Sequence, residues 1–203
     1  MLSPDPSRLP IHDRLDAVLD ALKQGLDVLL SAPPGAGKST MVPTAIADQT
    51  WCNGKVLISQ PRRLAAQVLA RRVASLRQCK VGTEVGYSVR FDRQTSSSTR
   101  LEFLTAGLLL RRLQSDPFLD GVDCVILDEF HERSLDTDFC LALLMQIRAE
   151  ARPDLRLVVM SATLDTHALA TRLPKAVRIS SQGRTFPVSI EHQRPSDQPI
   201  AIE

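Results

Sequence analysis

Three groups of residues in this chain have side chains and spacing suited to phosphate chemistry. The first is Pro33-Pro34-Gly35-Ala36-Gly37-Lys38-Ser39-Thr40, which follows the apolar run Val28-Leu29-Leu30. Two glycines let the backbone bend until several N–H groups point at one centre. A helix opening at the lysine adds its positive end, Lys38 brings a point charge, and Ser39 offers a hydroxyl to a magnesium ion. Pro34, Gly35, Ala36, Gly37, Lys38, Ser39 and Thr40 therefore read as a cradle for a polyphosphate. The second group is the acidic pair Asp128-Glu129 with His131 two residues on. Adjacent carboxylates at the end of a buried strand are costly unless something positive lies beside them, and magnesium held among Ser39, Asp128 and Glu129 would serve. The third is Ser161-Ala162-Thr163, a hydroxyl-bearing turn to which His131 can hydrogen-bond.

Together these residues make one side of a nucleoside triphosphatase. Such an enzyme stabilises charge on the β and γ phosphates, holds a metal from the protein side and orients the attacking water. Lys38 and the loop amides serve the first need, Ser39 and Asp128 the second, and Glu129 the third. The glycine-rich loop departs from the usual pattern at Ala32, where a glycine is customary.

These groups need elements to bring them together. Apolar spacing of three and four predicts helices over Pro10–Gly25, Ser39–Gln49, Leu64–Leu76, Leu108–Leu113, Thr137–Ala151 and Asp165–Leu173. Pro43 near the first turn of the second of these restricts where it can begin. Short apolar runs predict strands over Asp27–Ala32, Lys55–Ser59, Val85–Phe91, Leu101–Leu104, Cys124–Leu127, Leu155–Met160, Ala176–Ser180 and Val188–His192, with Gln94–Thr99 a polar loop. Alternating strands and helices, with strands apolar on both faces, give an α/β fold with a mostly parallel sheet and helices on both sides. The phosphate loop, Arg62-Arg63, Thr105-Gly107, Asp128-Glu129 and Ser161-Thr163 all come directly after strands. That places them on one rim, where open α/β sheets bind ligands. No internal repeat is present.

The 203 residues and 22.4 kDa suit one large domain, with 43% hydrophobic and 24% charged residues. We read 1–25 as a helical lead-in, 26–192 as the nucleotide-binding domain and 193–203 as a linker. No stretch reaches the ~20 apolar residues of a membrane span, and the start lacks a secretion signal, so no membrane partner and a cytoplasmic location are expected. Cys52, Cys79, Cys124 and Cys140 lack the spacing of a zinc site. A net charge of +2 and a pI near 8.4 do not announce nucleic-acid binding. By charge alone the arginine pairs read as solvated helix faces.

The runs APPGAGKST, QPRRLAA, GYSVRF, FLTAGLLLRRL, DEFHER, SAT and GRTFPV occur in this order. In that order they resemble the first RecA-like P-loop domain of the DEAH-box helicases, and DEFH with this loop is similar to the bacterial HrpB-type branch. The resemblance implies ATP and magnesium as cofactors, and single-stranded nucleic acid, RNA before DNA, as partner. It implies that His131, Ser161 and Thr163 couple nucleotide state to movement. It also implies that Arg62 or Arg63, with Thr105 and Gly107, touches the strand's backbone, and that Arg72 stacks on adenine, although a solvated helix arginine is an equal reading there. Phe130 stands where the family's name has alanine. A second RecA-like domain, which would bring arginines to the γ phosphate, is expected as the partner that completes the site. Two other readings share the phosphate loop: a binding module switched by nucleotide without turnover, and an ATPase that remodels proteins.

Overall fold

The computed structural model describes residues 9–163, 169 and 171–182. The chain runs α1 (His12–Lys23), β1 (Val28–Ser31), α2 (Lys38–Ala47), β2 (Lys55–Gln60), α3 (Arg63–Leu76), β3 (Val85–Val89), β4 (Asp92–Gln94), β5 (Leu101–Thr105), α4 (Ala106–Ser115), β6 (Val122–Leu127), α5 (Leu135–Glu150), β7 (Arg156–Ser161) and β8 (Val177–Ser180). A single 3₁₀ turn, Phe130–Glu132, separates β6 from α5.

The strands form one eight-stranded sheet in the order β4-β3-β5-β2-β6-β7-β1-β8. Every pairing is parallel except the β3–β4 hairpin. Register brings strand ends level at one rim: Ser31 lies opposite Ser161 and Ser180, and Gln60 opposite Thr105. The phosphate loop, the arginine pair, Thr105, the acidic pair and the hydroxyl turn all leave the sheet there.

Alternation along the strands divides the core in two. Val28 and Leu30, Val56 and Ile58, Val158 and Met160 face one apolar cluster with residues of α1, α2 and α3. Leu29, Leu57, Leu157 and Val159 face the other, with residues of α4 and α5. The central strands β1, β2, β6 and β7 bury both faces, which is why their runs are apolar.

Several expected boundaries change. The 85–91 strand ends at Val89, and a three-residue strand, β4, begins three residues later at Asp92 and runs into the expected polar loop. Asp92-Arg93-Gln94 is polar throughout because it forms an edge, with no apolar face to show a period of two. Pro43 does not limit the start of α2, which opens at Lys38 and takes the ring in its second turn. α4 starts at Ala106, directly after β5. α5 starts at Leu135 because the Ser134 side chain caps it, accepting from the Thr137 N–H at 3.2 Å. The helix expected over Asp165–Leu173 lies mostly outside the described residues. The strand expected over Val188–His192, the GRTFPV run and the linker from Gln193 lie wholly outside them.

Candidate nucleotide-binding site

The loop between β1 and α2 owes its shape to two left-handed glycines, Gly35 at φ +78° and Gly37 at φ +90°. Thr40 and Met41 N–H groups bond back to the Gly37 carbonyl, so those of Lys38 and Ser39 precede the first intrahelical bonds and stay open to a ligand. Ala36 turns inward, 2% exposed, with its carbonyl accepting from the Ile11 N–H at 3.1 Å. It shapes the loop without walling the cleft. Pro34, Gly35, Gly37, Lys38, Ser39 and Thr40 line an open cleft of about 390 Å³.

Lys38 is 4% exposed, and its Nζ donates to Glu129 Oε1 at 2.9 Å, across 91 residues of sequence. Asp128 lies behind, 3% exposed, with Oδ2 accepting from Gln60 Nε2 at 2.7 Å and Oδ1 from the Glu129 N–H at 2.8 Å. Burial pushes its carboxyl above the ordinary aspartate value, against hydrogen bonds from Ser39 and Gln60, while the Glu129 charge adds to the rise and Lys38 opposes it. The two carboxylates thus face different partners: Asp128 faces Ser39 and Gln60, and Glu129 faces Lys38.

Glu129 adopts φ +50°, a left-handed conformation rare outside glycine, which turns the chain sharply after β6. The turn sends the Phe130 ring into the apolar cluster under α4 and α5, away from the cleft. A bulky ring in place of alanine is accommodated in this way. His131 accepts at Nδ1 from the Ala162 N–H at 3.3 Å, and the same nitrogen lies 3.5 Å from Glu129 Oε2. Its expected partner was the hydroxyl turn. The bond comes from that turn, through its backbone at Ala162, while the Ser161 Oγ donates to the Thr163 carbonyl at 2.7 Å.

The residues implied for nucleic acid lie farther along the same rim. Arg62, 73% exposed, pairs with Glu132 at 3.1 Å, and Arg63 donates to the Arg90 carbonyl at 2.8 Å. Thr105 ends β5, and Gly107, in the first turn of α4, lies against Asp136, whose Oδ2 would be 3.0 Å from an added Cβ. Arg72 is not with them. It lines the cleft beside the phosphate loop with Leu69 and Leu76, a stripe spaced i, i+3, i+7 on α3. Sequence reasoning missed Gln60, although its place as the last residue of a strand at the rim was a signal. It also missed Leu9, Met41, Leu69 and Leu76 in the cleft.

The sequence profile described as DEAD/DEAH box helicase matches residues 15–171. The chain belongs to this helicase family. It is 49% identical over 182 residues to the "ATP-dependent RNA helicase HrpB" of Escherichia coli strain K12, covering 90% of this chain and 22% of that protein. It is 35% identical over 189 residues to the "ATP-dependent RNA helicase HrpA homolog" of Haemophilus influenzae, covering 93% of this chain and 14% of that protein. Among solved structures, the fold matches Escherichia coli DEAH/RHA helicase HrpB with a TM-score of 0.85 at 49% identity, over 89% of this chain and 23% of that one. The fold is therefore the RecA-like domain of the helicase family. The chain spans about a quarter or less of the length of these relatives.

Proposed function

We propose that this chain is the ATP-binding and ATP-hydrolysing half of an ATP-dependent RNA helicase. One observation carries the reading: the loops after β1 and β6 meet in a contact between buried Lys38 and half-buried Glu129, with Asp128 directly behind. The names of the relatives supply RNA as substrate and ATP as fuel.

Magnesium fits the residues present. Ser39 and Asp128 offer hard oxygen donors, and Gln60, bonded to Asp128 through Nε2, leaves its buried Oε1 without a partner. Among the described residues no group of three or more His, Cys, Asp or Glu side chains could cage a metal, which leaves phosphate and water as the further ligands. Bound there, the ion would neutralise charge on the β and γ phosphate oxygens.

The protein groups then have distinct tasks. Phosphate entering the loop competes with Glu129 for the Lys38 ammonium, and the carboxylate so released is placed to orient water. His131, tied to the turn between Ser161 and Thr163, passes the change at Glu129 to the end of β7. Arg62, Arg63, Thr105 and Gly107 hold the backbone of a single strand without reading its bases. The second RecA-like domain of the full-length protein completes the γ-phosphate environment. We place the protein in the cytosol, where four free thiols stay reduced; no helix among the described residues is long and apolar enough to cross a membrane.

The test is Glu129→Gln in the full-length protein. RNA-stimulated ATP turnover should fall by about 10² to 10⁴, as for loss of a general base, while affinity for a fluorescent ATP analogue stays within about twofold. Unchanged turnover would remove the enzyme reading.

A further inference from the structure

The segment before α1 lies across the phosphate loop. The Ile11 N–H donates to the Ala36 carbonyl at 3.1 Å, and the Pro10 carbonyl accepts from Ser181 Oγ, just past β8, at 3.1 Å. Ile11 is fully buried in the core on that side of the sheet. A Cβ added to Gly37 would lie 2.7 Å from Leu9 Cδ1 and 3.3 Å from Ile11 Cγ2, so these two side chains sit directly over the glycine. The Pro10–Ile11 peptide is thus held from both sides, its N–H by the phosphate loop and its carbonyl by Ser181, with the Leu9 and Ile11 side chains packed on the loop.

Leu9 does not finish in the core. It is 36% exposed and lines the same cleft as Gly35, Lys38 and Glu129. The lining has two chemical characters. Loop glycines, Lys38 and Ser39 suit phosphates, whereas Leu9, Met41, Leu69 and Leu76 are apolar, with the Arg72 guanidinium among them. With the phosphates held by the loop, these apolar side chains are what the cleft offers to the rest of a nucleoside triphosphate.

We propose that Leu9 is a nucleoside-contacting residue of the ATP site, presented by the Leu9–Ile11 segment. This rests on the nucleotide reading above and extends it to a part of the chain that sequence reasoning treated only as lead-in. The side chain covers an apolar face of the bound nucleoside and adds affinity by removing that surface from water. It has no part in holding the phosphates.

The test compares two ligands on the same protein: ATP, and inorganic tripolyphosphate, which carries the phosphates without the nucleoside. In Leu9→Ala, ATP affinity should fall about five- to tenfold, the scale expected for losing one leucine contact, while tripolyphosphate affinity changes less than about twofold. Leu9→Met should restore ATP affinity to within about twofold, since it keeps apolar reach. Equal loss of both ligands would overturn the inference, showing that Leu9 acts only by bracing the loop at Gly37. Unchanged ATP binding in Leu9→Ala would overturn it too. Should Leu9→Ala fail to fold, Leu9→Gln, similar in length but polar, must show the same selective loss. Wild-type protein that binds neither ligand would bring down the nucleotide reading and this inference together, an outcome distinct from the other two.

Discussion

Gly35 and Gly37 look equivalent in the loop and are not equivalent in space. Both have positive φ, so alanine at either site costs roughly 1–2 kcal/mol of backbone strain. At Gly35 nothing lies within 4 Å of an added Cβ, whereas at Gly37 it would meet Leu9 and Ile11. Gly37→Ala should therefore destabilise the chain by about 1 kcal/mol or more beyond Gly35→Ala, because it must also displace packed side chains. Urea unfolding of the two variants checks this, and equal midpoints would mean that the lead-in does not press on the loop. The two glycines, Lys38 and the acidic pair were legible in the sequence because phosphate chemistry restricts the residue types that can perform it. Leu9 and Gln60 were not. A leucine or glutamine declares no chemistry, and each owes its place to partners 28 and 68 residues away.

Elements were legible where burial imposed a period and obscure where it did not. β1, β2, β6 and β7 announce themselves by unbroken apolar runs, while β4 is polar and marked only by its pairing to β3. β5 conceals a different feature: Glu102, its second residue, fully buried. Its carboxylate accepts two bonds from Arg112 on α4, each 3.0 Å, and one from Ser88 on β3 at 2.6 Å. Burial alone would raise its pKa, but the Arg112 and Ser88 hydrogen bonds outweigh that and hold the carboxyl below the ordinary glutamate range. Replacing one partner of such a pair leaves the other uncompensated, so Glu102→Gln should cost about 3 kcal/mol near neutral pH. Because the folded-state pKa is depressed, this contribution is complete above the ordinary value of 4.5 and disappears as pH falls through the lower folded value. Unfolding midpoints of wild type and Glu102→Gln should therefore converge in acid, and a constant gap across that range would refute the charged pair as its source.

At the scale of the whole molecule, sheet order brings the two proposed sites to one rim. β1 lies between β7 and β8, so the phosphate loop adjoins the Ser161 turn, while β2 lies between β5 and β6, which puts the arginine pair beside both Thr105 and the acidic loop. Helix α3 joins the two sites, starting at Arg63 on the rim and presenting Leu69, Arg72 and Leu76 to the nucleotide cleft. The convergence of these loops on one rim was foreseeable from parallel topology, since every motif follows a strand, but the contact between Arg62 and the acidic loop was not. Arg62, the residue exposed for a strand, is held by Glu132 of the same loop that carries Glu129. A backbone phosphate has to displace that carboxylate. Both side chains are substantially solvated, so the pair is worth at most about 1 kcal/mol, and Glu132→Gln should tighten single-stranded RNA binding by about two- to fivefold. Arg62→Ala should act oppositely and reduce the slope of log affinity against log salt by about 0.7, the share of one phosphate contact on a single strand. With a net charge of only +2, little of that slope can come from the overall field of the protein, so it reports contacts at the rim. Fluorescence anisotropy of a labelled strand across a salt series measures both effects. If Arg62→Ala leaves the slope unchanged while Glu132→Gln weakens binding, the strand does not run past β2, and the link between the acidic loop and the nucleic acid has to be sought elsewhere on the rim.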